Sequence, residues 1–443
     1  MTVKDDNSSE IKSNGRDADV IKTNRRNVLK AAGIGIAGVT ALGSASATES
    51  ASAGKKIWQF ETEHYVQSSP TVVDGTVYIG SLDDSLYAVD TSTGEKEWAF
   101  ETGGSIKSSP MVADGTVYIS SADNSLYAVN ANTGKEEWVS EDKVDRLASP
   151  TVADETVYVG GGNLYALDAK TGEQEWAFEI EHGVDSSPIV LNETVYAASV
   201  NTHLYAVDAS TGEKEWDFET EYSLETPPTA SNGSVYVGSL GGDLYAVDAA
   251  TGDQEWEFET DGVVESSPTV VDGTVYFGSD DAGTDERVES HLYAINAKTG
   301  EQRWILTSLT SADSSPSVAD GTVFIGDHDD LLAVDTTTGE QEWEFETGNI
   351  DMSSPTVVDG TVYVGGGNSL FAIDAGVSGS SEGSRVMLGT LGHHDEWRRA
   401  GQNGGGVSSV FGPGFGVLGG LTAVGGASYL IHQRSETDAD EAS

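Results

Sequence analysis

Cysteine is absent from this chain of 443 residues, which excludes disulfide bonds, thiolate metal sites and cysteine nucleophiles. Basic residues are scarce, because 23 lysines and arginines stand against 73 aspartates and glutamates, for a formal net charge of −50. A nucleic-acid partner requires a basic surface, so this balance excludes that class of function. With 8 histidines in all, there is little material for imidazole metal sites.

The acidic residues are spread through the whole chain rather than gathered in a tail. A charge of this size lowers stability by self-repulsion unless salt screens it. The distribution resembles that of proteins from extreme halophiles, whose acidic surfaces stay hydrated in molar salt. That resemblance implies a haloarchaeal protein; the alternative is an ordinary acidic surface protein.

Tryptophan and proline recur with a period close to forty residues. The spacings between successive tryptophans are 40, 40, 38, 40, 40, 48 and 39 residues. Such periods indicate a repeat architecture, and four short apolar runs per repeat favour propeller blades over a helical solenoid. The repeat tryptophans are Trp58, Trp98, Trp138, Trp176, Trp216, Trp256, Trp304 and Trp343, and the repeat prolines are Pro70, Pro110, Pro150, Pro188, Pro228, Pro268, Pro316 and Pro355.

One unit, residues 68–100, shows how a blade is encoded. A short apolar strand begins at Pro70, where a missing N–H is tolerated, and Asp74-Gly75 then supplies a tight hairpin turn. The second strand is predicted at 76–80, the third at 86–90 and the fourth around 97–101. Apolar residues occur on both faces of these strands, so the sheet is expected to be covered on both sides.

The third strand and the turn that follows it carry the motif A-x-D/N-x-x-x-G-x-x-x-W in seven copies, beginning with Ala88-Asp90-Gly94-Trp98. The motif resembles the tryptophan-docking motif of PQQ-like β-propellers, a family that includes quinoprotein alcohol dehydrogenases and outer-membrane assembly lipoproteins of the BamB type. The resemblance covers residues 56–375. It implies an all-β fold, a single eight-bladed β-propeller with four antiparallel strands per blade, in which the eight repeat tryptophans are structural and pack between adjacent blades.

The two ends of the repeat array complement each other. The eighth unit keeps its first three strands, but after Asp374 no tryptophan follows. At the other end, the segment around Trp58 is a fourth strand without a preceding blade. We therefore expect strand 57–61 to complete the blade begun at 353–374, which closes the ring and protects its edges.

The N-terminal 47 residues have the organisation of an export signal. Arg25-Arg26 precedes Leu29-Lys30, an apolar run follows at 31–42, and Ala45-Ser46-Ala47 is a small-residue cleavage pattern. The paired arginines resemble the twin-arginine signal, which exports folded proteins. Residues 1–47 are accordingly predicted to be a signal peptide.

The C-terminal region after the repeats divides into three parts. Residues 376–412 are a Gly/Ser-rich tail with a Trp/Arg segment around Trp397 that is similar to a tag on some propellers of this family. Residues 413–434 begin Pro413-Gly414-Phe415 and resemble the archaeal PGF-CTERM sorting signal, although an acidic tail at 435–443 stands where basic residues are usual. Cleavage with lipidation and a retained membrane helix both remain open. Either outcome predicts a propeller on the extracellular face of the cytoplasmic membrane.

In such propellers the loops from fourth to first strand and from second to third strand share one face around the central channel. The residue before each Ser-Ser-Pro is expected to line that mouth. Four of these residues, on consecutive blades, are acidic. They predict a cation site or a docking patch for a basic partner; the alternative is that they occur there by chance, because the chain is so acidic. The candidate ligand or partner residues at the mouth are Lys107, Asp185, Glu225, Glu265 and Asp313.

Two loops offer oxygen ligands for a metal ion of the calcium type. They contain Asp280 and Asp281 in the insertion of one blade, and Asp327 and Asp329 in the next blade. Their spacing is not that of an EF-hand, and solvated loop acids are the favoured interpretation. No metal site is predicted from these residues.

The resemblance leaves two functional classes, and a lectin-like or metal-storing surface protein is a third hypothesis. In quinoprotein dehydrogenases of this fold a tryptophan lies below the PQQ, a vicinal disulfide usually lies above it, Glu and Asn bind Ca²⁺, and an Asp acts as the base. Here the disulfide is excluded, the loops are short, and no other catalytic motif stands out. The prediction is a non-enzymatic, BamB-like binding or scaffolding module that is monomeric and carries no cofactor. Its predicted partners are other envelope proteins or a small ligand. The alternative is a PQQ- and Ca²⁺-dependent dehydrogenase.

Overall fold

The computed structural model describes residues 52–140, 148–280, 290–348 and 353–387. Within these ranges the chain forms eight four-stranded antiparallel sheets and one helix of four residues. The predicted all-β architecture of eight blades is therefore confirmed.

The strands are numbered along the chain, and seven of the sheets are contiguous in sequence. The first strand, β1 (Lys56–Glu61), precedes them. Blade 1 contains β2 (Thr71–Val73), β3 (Thr76–Gly80), β4 (Ser85–Asp90) and β5 (Lys96–Glu101); blade 2 contains β6 (Met111–Ala113), β7 (Thr116–Ser121), β8 (Ser125–Asn130) and β9 (Glu136–Val139). Blade 3 contains β10 (Thr151–Ala153), β11 (Thr156–Gly160), β12 (Leu164–Asp168) and β13 (Gln174–Phe178); blade 4 contains β14 (Ile189–Leu191), β15 (Thr194–Ala198), β16 (His203–Asp208) and β17 (Lys214–Glu219).

The same order continues through the second half of the array. Blade 5 contains β18 (Thr229–Ser231), β19 (Ser234–Gly238), β20 (Asp243–Asp248) and β21 (Gln254–Glu259); blade 6 contains β22 (Thr269–Val271), β23 (Thr274–Ser279), β24 (Ser290–Asn296) and β25 (Gln302–Leu309). Blade 7 contains β26 (Ser317–Ala319), β27 (Thr322–Asp327), β28 (Asp330–Asp335) and β29 (Gln341–Glu346). Blade 8 contains β30 (Thr356–Val358), β31 (Thr361–Gly366) and β32 (Ser369–Asp374), and helix α1 (Ser384–Met387) follows it.

The innermost strands form a closed ring. Each contacts the innermost strand of the blade before and after it, and β2 of blade 1 contacts both β6 of blade 2 and β30 of blade 8. Blade 8 has the strand order β1-β32-β31-β30, with Trp58 opposite Ala372 and Phe60 opposite Leu370. The prediction that the N-terminal strand completes the last blade is confirmed.

The termini also rebuild an eighth copy of the docking motif. Gly54 N–H donates to Asp374 O at 2.9 Å, as Gly94 N–H donates to Asp90 O at 2.9 Å within blade 1. Gly54 lies four residues before Trp58, as Gly94 lies four residues before Trp98. The motif that ends at Asp374 in the sequence is therefore completed in space by the N-terminal segment. The contribution of Gly54 was not predicted from the sequence.

Within each blade the two middle strands are buried on both faces. In blade 1, Val77, Ile79 and Leu86 have no exposed surface, whereas the outer strand β5 alternates between exposed and partly buried residues. The hairpin between the first two strands turns at Asp74 and Gly75, both with positive φ (48° and 86°), the geometry that a two-residue turn matched to strand twist requires. Neighbouring blades therefore supply the cover that the two-sided apolar pattern predicts.

Each repeat tryptophan joins one blade to the next. Trp98 of blade 1 donates its indole Nε1–H to Ala131 O at 2.9 Å, and its ring lies over Gly134, where an added Cβ would be 2.7 Å from Cδ2. The close approach explains why glycine occupies this motif position. The equivalent indole bonds are made by Trp58, Trp138, Trp176, Trp216, Trp256 and Trp304, at 2.8–3.1 Å; Trp343 lies over Gly54.

The two serines before the repeat proline, present together in six of the eight repeats, have separate structural roles. The first bonds to the second strand of its own blade, as Ser68 Oγ–H does to Gly80 O at 2.9 Å. The second links blades, because its hydroxyl oxygen accepts the N–H of its counterpart in the preceding blade. This belt consists of Ser69 to Ser109, Ser109 to Ser149, Ser149 to Ser187, Ser267 to Ser315, Ser315 to Ser354 and Ser354 to Ser69. It is interrupted where Pro227 replaces the serine.

Residues 378–385 form a strap across the innermost strands of blades 8, 7 and 6. Ser381 N–H donates to Val357 O, and Glu382 N–H donates to Val318 O, both at 2.8 Å. Ser384 Oγ accepts Val270 N–H at 2.9 Å, and α1 contacts β18 and β22. Arg385 is buried, with Nη1 3.5 Å from Pro316 O, and burial lowers the pKa of its guanidinium to about 10.

The predicted export and anchoring segments are not among the residues the structure describes. The signal peptide at 1–47, the tail beyond residue 387, the PGF-CTERM-like segment at 413–434 and the acidic end at 435–443 lie outside the described ranges. Within those ranges, no helix is long and apolar enough to cross a membrane.

Candidate functional site

The long loops of the blades meet on one face of the ring. Leu82 N–H in the second-to-third loop of blade 1 donates to Tyr65 O in the preceding fourth-to-first loop at 2.9 Å, and Ala122 N–H donates to Ser105 O at 2.8 Å. We call this the mouth face. The opposite, turn face holds the short hairpins, which are tied by bonds such as Thr91 N–H to Gly75 O at 2.9 Å.

The residues before the Ser-Ser-Pro segments occupy equivalent places in the mouth-face loops. Lys107 and Glu225 each follow a buried apolar residue, Ile106 and Leu224, and precede a buried hydroxyl residue, so their own side chains are directed outward and are exposed. Asp185 and Glu265 are exposed in the same way, and Asp313 is partly buried. The equivalent Leu147 and Met352 lie outside the described residues.

Two of these acids come together with a third from a different loop. Glu265 lies between blades 5 and 6, Asp313 lies between blades 6 and 7, and Asp280 follows β23 of blade 6. One carboxylate oxygen from each lies within 4.8 Å of the other two. We call Glu265, Asp280 and Asp313 the mouth triad.

The triad is electrostatically strained. Burial and the adjacent Asp280 raise the pKa of Asp313 to about 8, with a further contribution from Glu265. Burial, then Asp280 and then Glu225 raise the pKa of Glu265. Among the described residues, the Oδ1 atom of Asp313 is shielded from solvent and has no hydrogen-bond partner. Crowding of carboxylates favours their protonated forms, which is the direction of both pKa shifts.

Asp280 also has a structural role. Its Oδ1 accepts Ala312 N–H at 2.7 Å, and its backbone pairs with that of Val263. In the next blade Asp327 Oδ1 accepts the N–H groups of Thr310 and Ser311, at 2.5 and 3.1 Å. These two acids therefore fix the loops that carry Asp313 and its neighbours.

The remaining weak metal candidates stand apart from the triad. Asp329 Oδ1 lies 3.0 Å from His328 Nδ1, and Asp281 is outside the described residues. Of the three loop acids that the structure describes, Asp280 is the one that lies with the mouth residues.

An exposed aromatic residue lies on the same side of the mouth face. Tyr222 is 53% exposed, and its ring covers Gly241, where an added Cβ would be 2.2 Å from Cδ2. The residues equivalent to Gly241 in blades 1 and 2 are Asp83 and Asp123, whose carboxylates each accept a hydrogen bond from a tyrosine hydroxyl. In blade 5 the corresponding tyrosine, Tyr245, donates to Asp243 instead. The glycine in place of aspartate was a signal in the sequence that the interpretation missed.

The comparisons with known proteins agree with this architecture. The family model described as outer membrane protein assembly factor BamB matches residues 43–161, 143–226, 219–310 and 288–381. The chain belongs to this family. No curated protein sequence matches it.

Solved structures share the propeller fold with this BamB-family chain. BamB from Moraxella catarrhalis is 19% identical, with a TM-score of 0.62 over 72% of this chain and 96% of that one. The quinohemoprotein alcohol dehydrogenase from Comamonas testosteroni is 16% identical, with a TM-score of 0.62 over 73% and 77%. The computationally designed Ika8 protein is 15% identical, with a TM-score of 0.62 over 72% and 100%. At these identities the likeness establishes the fold.

Without a bound cation, the described mouth is electrostatically unfavourable for the quinone cofactor of the dehydrogenases. Pyrroloquinoline quinone carries three carboxylates, and Glu225 and the mouth triad would repel them. Seven of the repeat indoles are held between blades by hydrogen bonds to the backbone. The oxygen atoms of the triad are instead the ligand type that a hard cation prefers.

Proposed function

We propose that this protein is a non-enzymatic binding or scaffolding module on the outer face of the cell membrane, and that the mouth triad with Glu225 receives a cationic group of its partner. The observation that carries the proposal is the convergence of Glu265, Asp280 and Asp313, each with one carboxylate oxygen within 4.8 Å of the other two; the raised pKa of Asp313 and of Glu265 agrees with it. A cationic group from a partner would relieve the repulsion among these carboxylates, and charge complementarity of this kind steers association and fixes orientation.

The proposal draws support from the framework as well. Trp58, Trp98 and their equivalents are used in docking blades, and the strap crosses the innermost strands of blades 8, 7 and 6. Membership of the BamB family favours interaction with other envelope proteins. The predicted export signal and C-terminal anchor would place such a module at the cell surface.

Site-specific crosslinking on intact cells tests the proposal. A photoreactive residue in place of Glu225 is expected to give a discrete adduct, whereas the same residue in place of Asn132 on the turn face gives none. Neutralising the acids in the variant Glu225→Gln/Glu265→Gln/Asp313→Asn should reduce the amount of partner bound to the chain by about tenfold or more. An adduct formed equally from both faces would contradict the proposal.

The charge effect needs its own control. Glu95, Glu173 and Glu213 are exposed and sit in turn-face hairpins, so Glu95→Gln/Glu173→Gln/Glu213→Gln changes the net charge by the same amount far from the mouth. Partner binding should persist in this variant. Equal losses in the two triple variants would point to general electrostatics.

The alternative is a quinoprotein dehydrogenase. The mouth triad favours this alternative only because its oxygen atoms could hold the Ca²⁺ that such an enzyme requires. Incubation of the full chain with pyrroloquinoline quinone and Ca²⁺, followed by dye-linked alcohol oxidation, separates the two. Saturable cofactor binding with turnover would overturn the scaffolding proposal. Absence of turnover together with a mouth-specific adduct would support it.

A further inference from the structure

The mouth-face junction between blades 3 and 4 departs from the repeat. In blades 1, 4, 5, 7 and 8 a threonine two residues after the outer-strand phenylalanine bonds the second-to-third loop of its blade, as Thr102 Oγ1–H does to Asp84 O at 3.0 Å and Thr220 Oγ1–H does to Thr202 O at 2.8 Å. At this junction the residue is Ile180, which is buried and cannot make that bond.

A second tie between neighbouring blades is also missing there. At the junctions before blades 1 and 2, loop N–H groups donate to Asp83 Oδ2 at 2.9 Å and to Asp123 Oδ2 at 3.0 Å. Blade 4 has Asn201 at this position. Its Nδ2–H donates to the Tyr205 hydroxyl at 2.9 Å, and its Oδ1 accepts His203 N–H at 3.3 Å, so the side chain is turned toward its own blade.

The two loops keep one bond, from Ser199 Oγ–H to Gly183 O at 2.6 Å, but lack the threonine and aspartate ties, and a groove of about 640 Å³ lies between blades 3 and 4 at this junction. This volume lies within the range of about 300–1,000 Å³ typical of small-molecule sites. Rings from both blades form one aromatic surface in the groove: Phe178 meets Tyr205 edge-on at 5.5 Å between centroids, and His203 stacks on Tyr205 at 5.5 Å.

The polar groups of the groove are mixed, with more acidic than basic charges. Exposed Glu179, Glu181 and His182 line one side, and Lys214 lies on the other, where its Nζ contacts Asp217 Oδ1. The Tyr205 hydroxyl accepts a hydrogen bond from Asn201 and retains its own proton to donate. A lysine and two histidines in one groove are notable in a chain where acids outnumber bases by 73 to 23.

We infer that this groove binds a short neutral oligosaccharide. A saccharide presents apolar C–H faces to aromatic rings and hydroxyl groups that both donate and accept, which matches the ring surface and the mixed polar groups. A polyanion would be repelled by the −50 charge of the chain. A purely apolar ligand would strip water from the carboxylate and imidazole groups without replacing their hydrogen bonds. This site is distinct from the mouth triad and goes beyond the proposed partner docking.

Calorimetric titration and saturation-transfer NMR on the full chain in concentrated KCl test the inference. The probes are maltotriose, cellotriose, mannotriose and chitotriose triacetate, with tetramethylammonium and citrate as charged comparisons. Saturable binding of at least one neutral trisaccharide, with saturation transfer from aromatic protons, is the expected result. Binding of a charged probe alone, or of none of the six, overturns the inference.

Two variants locate the site. Ile180→Thr/Asn201→Asp restores the residues of the closed junctions, so it should lower the affinity by at least about tenfold while the unfolding midpoint stays the same or rises. Tyr205→Phe removes the donating hydroxyl, and Tyr127→Phe makes the same change at a closed junction. Affinity should fall for the first and not for the second. Full binding by Ile180→Thr/Asn201→Asp would overturn the assignment of the groove.

Discussion

The N-terminal segment closes the ring without a covalent bond, so its contacts can be tested against matched contacts inside the chain. Trp58 docks on Gly94 and bonds Thr91 O at 2.8 Å; Trp98 docks on Gly134 and bonds Ala131 O at 2.9 Å. Both indoles are partly buried, and each meets a tyrosine at 5.8 Å between ring centroids. Trp98→Ala is therefore a close control for Trp58→Ala.

The expected cost follows from these contacts. Truncating a partly buried tryptophan to alanine loses about 3 kcal/mol of packing, the lower end for buried aromatic residues. The hydrogen bond to a backbone carbonyl adds about 1 kcal/mol. Each variant should thus lose about 4 kcal/mol from a total that is typically about 5–15 kcal/mol for a domain.

Guanidinium unfolding in concentrated KCl, followed by circular dichroism, measures both changes. If the N-terminal strand is as firmly docked as an internal one, the two losses agree within about 1 kcal/mol. A loss below about 1 kcal/mol for Trp58→Ala beside about 4 kcal/mol for Trp98→Ala would show that β1 does not hold blade 8 in solution, and would refute the closure described here.

Three further predictions follow from other parts of the ring. Because the pKa of Asp313 is raised to about 8 from its ordinary value of 3.8, the folded state binds more protons than the unfolded state between these values, so stability falls as the pH rises through this window; the unfolding midpoint of Asp313→Asn should depend less on pH. Ser384→Ala leaves the buried Val270 N–H without its acceptor and should cost about 1–3 kcal/mol in the same denaturation assay; an unchanged midpoint would mean that the strap is not seated. Deleting residues 48–62 removes β1 and both docking contacts at the closure, so unfolding at an unchanged denaturant concentration would invalidate the count of eight complete blades.

The parts of the fold that repeat were predictable because each is encoded locally. A turn such as Asp74-Gly75 and a buried strand such as 76–80 depend on adjacent residues, and eight copies reinforce the pattern. Closure was predictable from the complementary defects at the two ends. Gly54 was not recognised, because its bond to Asp374 exists only once the two ends of the array meet.

The site was less predictable, because it depends on which loops touch. Glu265 and Asp313 belonged to one predicted set and Asp280 to another, and nothing in their spacing shows that three separate loops converge. The strap was hidden for a different reason. Its contacts use serine hydroxyls and backbone groups, as in the bond from Val270 N–H to Ser384, so its Gly/Ser composition looked like an ordinary tail.

Departures from the repeat are concentrated on one half of the mouth face, which gives a last prediction. Ile180 and Asn201 line the groove, Tyr222 covers Gly241, and the mouth triad follows in blade 6, whereas the junctions before blades 1 and 2 keep the threonine and aspartate ties. The framework is the same all round the ring, so folding alone does not require this asymmetry. A photoreactive residue at position 225 should therefore crosslink a partner that one at the equivalent position 107 does not reach. Equal labelling from both positions would mean that the partner covers the whole mouth and that the asymmetric residues do not select where it binds.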